Sequence, residues 1–303
     1  MLKPAPDRSL EDQSSDPRNG SSNATLGIGL LVLAEVVFAA LDAAAKFMGQ
    51  EMPIPMVVWG RYLFNLILLM ALFRGPKLRR ALTLTRPWMT TIRGALLMSM
   101  TYVFFTAIQY IPLADAVAIG FVAPLFVVAL SIPVLGEKVG PRRWAAVGVG
   151  FVGVLVMLRP GFVEVHWAYG LMLLLALMFA VFVLMTRILT RTEESISLLF
   201  HGTIVGTIGS TLIVPAFWLT PTPLQWGILA AMGGLGALAH MLLISAYRAG
   251  EASILAPFQY SQIVFAAIAG FLVFGEFPDI WVWSGTAILV ASGIYIWYRE
   301  RKV

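Results

Sequence analysis

The stretch "PFQYSQIVFAAIAGFLVFGE", residues 257–276, is apolar enough to cross a bilayer, yet it opens on Pro257, Gln259, Tyr260 and Gln262 and closes on Gly275 and Glu276. About 30 Å of hydrocarbon asks for a helix of roughly 20 apolar residues, and this stretch meets that length. Its polar head is the puzzle. Pro257 removes a backbone donor and frees carbonyls that lipid cannot satisfy, so their partners must be protein groups or cavity water. Gln259 and Gln262 are three apart and share a face, with Tyr260 beside them. The head therefore reads as the lining of a central cavity, against the plainer reading of kinked helices whose polar groups satisfy each other.

Composition places the whole chain in the same solvent. Of 303 residues, 59% are hydrophobic and 12% charged, about half the charged share of a soluble domain. Cysteine is absent, which excludes disulfides and thiolate metal sites. The formal charge of +5 does not indicate nucleic acid, because the basic residues lie between oily segments and not on the face of a soluble module. Residues 1–25 are polar and rich in Ser, Asp and Pro. They read as a disordered tail, and without a short apolar core and a cleavage site they are no signal peptide.

From Leu26 onward the hydropathy pattern predicts ten membrane helices, near 26–48, 53–73, 88–109, 115–135, 143–158, 168–190, 197–218, 225–247, 253–274 and 281–298. Short breaks carrying Pro, Gly or charge separate them, so consecutive helices are expected to be antiparallel neighbours. Lys and Arg crowd the side of the N-terminal tail (Arg74, Arg79, Arg80, Arg142, Arg248), while the other side holds Arg159, with Lys46 near its edge. That bias predicts both termini in the cytoplasm.

The chain also repeats weakly. Leu135-Gly136-Glu137 closes the fourth span and Phe274-Gly275-Glu276 the ninth, with Pro141 and Pro278 soon after each. Five spans per copy is an odd number, so the two halves must lie upside down to each other, an arrangement recurrent in secondary transporters with the site near the midplane. Together with "IPLADAVAIGFVAPLF" at 111–126 and "APFQYSQIVFAAIAGFLVFGE" at 256–276, these motifs resemble the EamA family of the drug/metabolite transporter superfamily. The expected fold class is thus an all-α integral membrane protein of ten transmembrane helices in two inverted five-helix repeats, 26–160 and 161–299, with a cytoplasmic end at 300–303. The resemblance implies an inner-membrane carrier of small organic metabolites such as amino acids, S-adenosylmethionine or flavins, working by alternating access. It sets neither direction nor solute.

Polar residues inside the spans supply the candidate site, since ionisable groups in lipid are costly and turn toward protein or a wet cavity. Glu35, Asp42 and Lys46 fall within about 20° of one stripe of the first helix. Glu35 is about 13 Å of helix from Leu26, near mid-membrane, and is a candidate solute contact or proton carrier. Asp42 and Lys46, at i,i+4 spacing, read either as a structural ion pair or as an outer gate. The second helix carries Trp59, Arg61, Tyr62 and Asn65. Arg61 is too deep to snorkel easily; it either pairs with Glu35 or grips a solute carboxylate or phosphate with its planar fork. Arg93, one turn inside its span, reads as snorkelling.

Tyr102, Thr106 and Gln109 form one polar stripe, read as helix-to-helix hydrogen bonds or as a binding surface. Asp115, at the start of the fourth span, is the upside-down counterpart of the residue 257–262 head. His240 is a proton-relay candidate or a hydrogen-bonded core histidine. The expected solute contacts are Glu35, Trp59, Arg61, Tyr62, Asn65, Tyr102, Gln259, Tyr260 and Gln262, and the gate or proton-coupling candidates are Asp42, Lys46, Asp115 and His240.

No three ligands gather for a metal, "GVGFVG" at 148–153 lacks the preceding strand of a nucleotide fold, and no cofactor is implied. The expected partners are a small metabolite, the lipid bilayer and a proton or exchanged solute; a homodimer is left open. The leading function is a secondary carrier for an amino acid or flavin-like solute. A passive channel is the alternative, and an integral-membrane enzyme is a weaker one, since no acid, His and nucleophile cluster appears.

Overall fold

The computed structural model describes residues 17–135, 140–159 and 166–300. Among them the chain is all helical, running α1 (Pro17–Glu51), α2 (Ile54–Leu72), α3 (Pro76–Leu82), α4 (Pro87–Ala107), α5 (Leu113–Gly120), α6 (Ala123–Leu135), α7 (Pro141–Leu158), α8 (Trp167–Leu189), α9 (Ser195–Ile213), α10 (Pro223–Ala249), α11 (Ala252–Leu255), α12 (Ser261–Phe274) and α13 (Ile280–Glu300). Tight 3-10 turns follow α9 and precede α12. Helix α1 starts at Pro17, inside the stretch expected to be a disordered tail; residues 1–16, Gly136 and Glu137 of the first repeat mark, and residues 301–303 lie outside the described residues.

Eight helical stretches among the described residues are long and apolar enough to cross a membrane. Two of the ten expected spans fall short of that measure. Helix α4 has 21 residues, but Thr90, Thr91, Arg93, Ser99, Thr101 and Thr106 dilute its hydropathy. In α7 the apolar part is confined to Trp144–Leu158. Proline starts many of these helices, at the first or second position of α2, α3, α4, α7 and α10, where a missing N–H costs nothing. Helix α10 also carries a capping box between Thr222 and Gln225.

The fourth and ninth expected spans are both broken. The fourth bends at Phe121 and Val122, just ahead of Pro124, dividing α5 from α6; in the ninth, Pro257 replaces α-helix by the 3-10 segment Ala256–Tyr260. The two breaks touch, with the rings of Phe121 and Tyr260 4.8 Å apart. Helix α12 then ends on Gly275, which takes a left-handed conformation at φ 69° open to a residue without Cβ. The Gly275 N–H closes on the Phe271 carbonyl and the Glu276 N–H on that of Gly270, which turns Glu276 back toward the bundle.

Sequence neighbours are not the main packing partners. Helix α1 lies along α10 and α12, α2 along α10 and α9, α4 along α9 and α8, and α6 along α8, whereas α1 barely touches α2. Helices α7 and α13 pack chiefly on each other, and a Cβ at Gly153 would come within 2.8 Å of the Gly285 carbonyl. The buried faces of each half meet those of the other, so one core runs through both.

Candidate functional site

Four elements bring polar side chains to one place. From α1 come Glu35 and Asp42, both buried; from α2, half-buried Arg61 with buried Tyr62 and Asn65; from α4, Thr101 and Tyr102; from the head of α12 and the turn before it, Gln262 and Gln259. The Arg61 guanidinium donates to Thr101 Oγ1 at 3.0 Å, and the Tyr62 hydroxyl meets the same oxygen at 3.0 Å. Arg61 also lies over the rings of Tyr62 and Phe105, 5.3 and 5.5 Å from their centroids. Tyr62 is held from behind by Gly206 of α9, where any Cβ would run into its ring, and its carbonyl accepts from Thr207 Oγ1 at 3.1 Å.

The expected Glu35–Arg61 ion pair is not made. Arg61 takes Thr101 instead, with Asp42 as the carboxylate in its electrostatic reach and Gln262 close to Asp42. Glu35 lies in the field of Asp42 and of Tyr247, and the Tyr247 hydroxyl accepts from Gln259 Nε2 at 2.7 Å. Arg61 Nε, Asn65 Oδ1 and the Tyr102 hydroxyl are buried with no hydrogen-bond partner. Buried polar atoms are normally satisfied, so these two donors and one acceptor on α2 and α4 stand out in the packing.

Other expected residues lie elsewhere. Trp59 donates to Thr211 Oγ1 at 3.1 Å and packs edge-on against Trp218 and Trp226, on another face of α2 from Arg61. Tyr260 is wedged between Phe121 and α13, where a side chain at Gly293 would meet its hydroxyl. His240 Nδ1 is hydrogen-bonded to the Gly236 carbonyl at 2.8 Å, its ring edge-on to Phe38. Arg93 does not snorkel. It is buried between α8 and α9, donating to Thr186 Oγ1 at 2.7 Å and the Leu198 carbonyl at 3.3 Å, 4.1 Å from the Phe182 ring centre. Gln109 donates to the Phe105 carbonyl of its own helix.

Lys46 does not pair with Asp42. At the opposite membrane face from the start of α1, its ammonium contacts Glu276 at 2.5 Å and the Ile111 carbonyl at 2.9 Å, and the other Glu276 oxygen accepts from the Leu113 N–H at 3.1 Å. Asp115, one turn on, accepts from the Tyr169 hydroxyl at 2.9 Å. The i,i+4 spacing failed as a guide because the turned-back end of α12 brings Glu276 closer. Among the described residues no group of three or more His, Asp or Glu is placed to hold a metal.

Buried polar and charged groups drawn from several helices of an otherwise apolar bundle are costly in hydrocarbon, and the family comparison says what kind of protein carries them. The profile of the EamA-like transporter family matches twice, over residues 25–159 and 166–298. The chain belongs to the EamA-like transporter family. It is therefore a multi-pass membrane transporter and not an enzyme. An S-adenosylmethionine uptake transporter of Rickettsia bellii is 30% identical over 92% of this chain and 95% of its own length. A riboflavin transporter of Rhizobium johnstonii is 27% identical over 93% and 94%, and a pseudopaline exporter of Pseudomonas aeruginosa 28% identical over 91% and 97%. One solved crystal structure superposes with a TM-score of 0.62 at 18% identity, covering 93% of this EamA chain and 98% of the other, a likeness of fold alone.

Sequence reasoning did not single out Thr101, which meets Arg61 and Tyr62, or Tyr169, which meets Asp115. A threonine in a helix usually bonds back to its own turn, as Thr101 also does to Leu97, and Tyr169 sits beside Trp167 where it reads as an interfacial aromatic. Glu276 was visible only as a repeat mark.

Proposed function

We propose that this protein is a ten-helix secondary carrier, built of two inverted five-helix repeats, that moves a small organic metabolite through the chamber between them by alternating access. The observation that carries the reading is the Glu35, Asp42, Arg61 and Gln262 cluster with its unpartnered Arg61, Asn65 and Tyr102 atoms, to which both halves contribute. In support of the repeat, the family profile fits each half separately. The packing also pairs up when the halves are exchanged: α1 on α10 corresponds to α8 on α4, α2 on α10 to α9 on α4, and α1 on α12 to α8 on α6, while α7 on α13 and α2 on α9 map to themselves. With α4 and α7 counted as crossings, each half has five and the second copy is inverted.

The chemistry of the chamber favours a solute carrying both an amine or other cation and a carboxylate. Glu35 and Asp42 suit the first, and the free Arg61 Nε with the Tyr102 hydroxyl suits the second. An amino acid, or a metabolite containing one such as S-adenosylmethionine, fits these groups; a flavin-like solute would use the aromatic walls of Tyr62, Tyr102 and Phe105. Glu35 is the proton-carrier candidate, with Asp42, Asp115 and His240 behind it. The basic loops argue for an inner-membrane protein with both termini cytoplasmic. A thermal-shift screen of amino acids, S-adenosylmethionine, flavins and nucleosides on purified protein, followed by liposome flux for each hit, tests this reading, because a bound ligand stabilises the fold by mass action. A true substrate raises the melting temperature and exchanges across the membrane. Failure of every amino acid, S-adenosylmethionine and flavin would overturn the substrate assignment. If Glu35 carries the proton, Glu35→Gln abolishes pH-driven uptake and spares solute exchange; unchanged pH-driven uptake removes that role.

A further inference from the structure

We propose that Lys46 and Glu276 form the latch that closes the chamber at the face opposite the start of α1, and that Asp115 receives the Lys46 ammonium when the latch opens. This rests on the carrier reading above.

Three segments that must separate for solute to pass are tied here by one pair of side chains. Lys46 stands near the C-terminal end of α1, bridging to Glu276 just past α12 and to the Ile111 carbonyl ahead of α5. Glu276 answers on the same side by accepting from the Leu113 N–H, and the Phe274 ring lies 5.2 Å from the ammonium. The Lys46 side chain is 4% exposed and that of Glu276 26%, so the ammonium is enclosed while the carboxylate closes over it from the rim. On α1 it lies about 6 Å of helix beyond Asp42, directly over the polar cluster.

An ion pair with an enclosed ammonium that must break in every transport cycle poses a physical problem, because a lone buried ammonium is costly. Asp115 offers the solution. It is buried in the first turn of α5, with one carboxylate oxygen held by the Tyr169 hydroxyl and the other, Oδ1, buried and unpartnered. Lys46, Glu276 and Asp279 are the charged groups in its electrostatic range, and Asp279 is engaged by Arg159. If α12 swings away with Glu276, Lys46 keeps its place near Ile111 and turns to Asp115. The cation is never left bare.

The chain has no cysteine, so a single Tyr102→Cys reports chamber access without further engineering. The reporter protein, reconstituted in sealed vesicles of each sidedness, is labelled with a membrane-impermeant maleimide. Glu276→Gln, which keeps an acceptor for the Leu113 N–H, should speed labelling from the Lys46 face by roughly tenfold, as expected for a shifted open population. The charge swap Lys46→Glu/Glu276→Lys should return it toward the parent rate. Exchange is measured without the reporter, in protein that keeps Tyr102: there Asp115→Asn, with the latch pair intact, should slow exchange several-fold for whichever of labelled S-adenosylmethionine and riboflavin the wild-type protein exchanges. Equal labelling in parent, Glu276→Gln and swap would overturn the latch; wild-type exchange in Asp115→Asn would overturn the receiving role. If the wild-type protein shows no saturable exchange of any probe, the carrier reading fails, while the labelling rates of the reporter still report on the latch.

Discussion

Arg61 has two separable duties, and a pair of substitutions divides them. It is the cation in reach of Asp42 and a donor to Thr101, so Arg61→Met leaves the buried Asp42 carboxylate without that cation. Breaking a fully buried charge pair costs about 3–5 kcal/mol. Arg61 is half-buried and makes no direct ion-pair contact, so roughly 2 kcal/mol is the appropriate figure. At about 2 °C per kcal/mol for a chain of this size, the purified protein should melt about 4 °C lower. Arg61→Lys keeps the charge and should recover most of that loss. It does not restore the planar fork whose Nε is free for solute. A lost charge-assisted hydrogen bond of about 1.5–3 kcal/mol should therefore weaken solute binding by roughly 10- to 100-fold in both variants. Melting temperature with and without saturating solute, followed by a binding titration, reads both effects. Wild-type affinity in Arg61→Lys would refute the assignment of the free nitrogen to solute, and an unchanged melting temperature in Arg61→Met would refute the structural duty.

Three further outcomes follow from the packing. Glu276→Ala should lower the melting temperature by the equivalent of about 2–3 kcal/mol, and Lys46→Met/Glu276→Ala should recover at least half of it; a double variant as unstable as the sum of the singles would show that the pair is not coupled. Gly206→Val drives a side chain into the Tyr62 ring and should cost about 1–3 kcal/mol, with solute affinity falling as Tyr62 shifts; wild-type melting and affinity would mean that the α2–α9 contact is looser than described. Arg93→Lys should be destabilising by about 1–2 kcal/mol, since an ammonium cannot reproduce the fork onto Thr186 and Leu198. A snorkelling arginine would tolerate the change without any shift in melting temperature.

Much of this was legible before any coordinates, because hydrocarbon permits few solutions. Length and apolarity alone locate most of the spans, and Pro257 and Pro124 announce the two breaks that meet at Tyr260 and Phe121. The stripe of Glu35, Asp42 and Lys46 on one face of α1 is a matter of helical geometry and holds. Partner choice is where reading a single sequence stops. Glu35 and Arg61 match in depth, yet rotation about the helix axes sends Arg61 to Thr101. Lys46 and Asp42 have ideal spacing, yet a left-handed glycine at 275 delivers a better partner from 230 residues away. Arg93 looked close enough to the interface to reach water, and only the contact of α4 with both α8 and α9 encloses it. Each error has the same origin: interactions between distant helices outrank local spacing, and only packing specifies them.

The most direct test of the carrier account is counterflow. Proteoliposomes loaded with unlabelled S-adenosylmethionine or riboflavin and diluted into trace labelled solute should accumulate label transiently above equilibrium, with uptake that saturates and collapses in Arg61→Met. Uptake rising linearly with concentration, with no overshoot and no dependence on Arg61, would mean that solute does not pass through an alternately exposed site between the two halves.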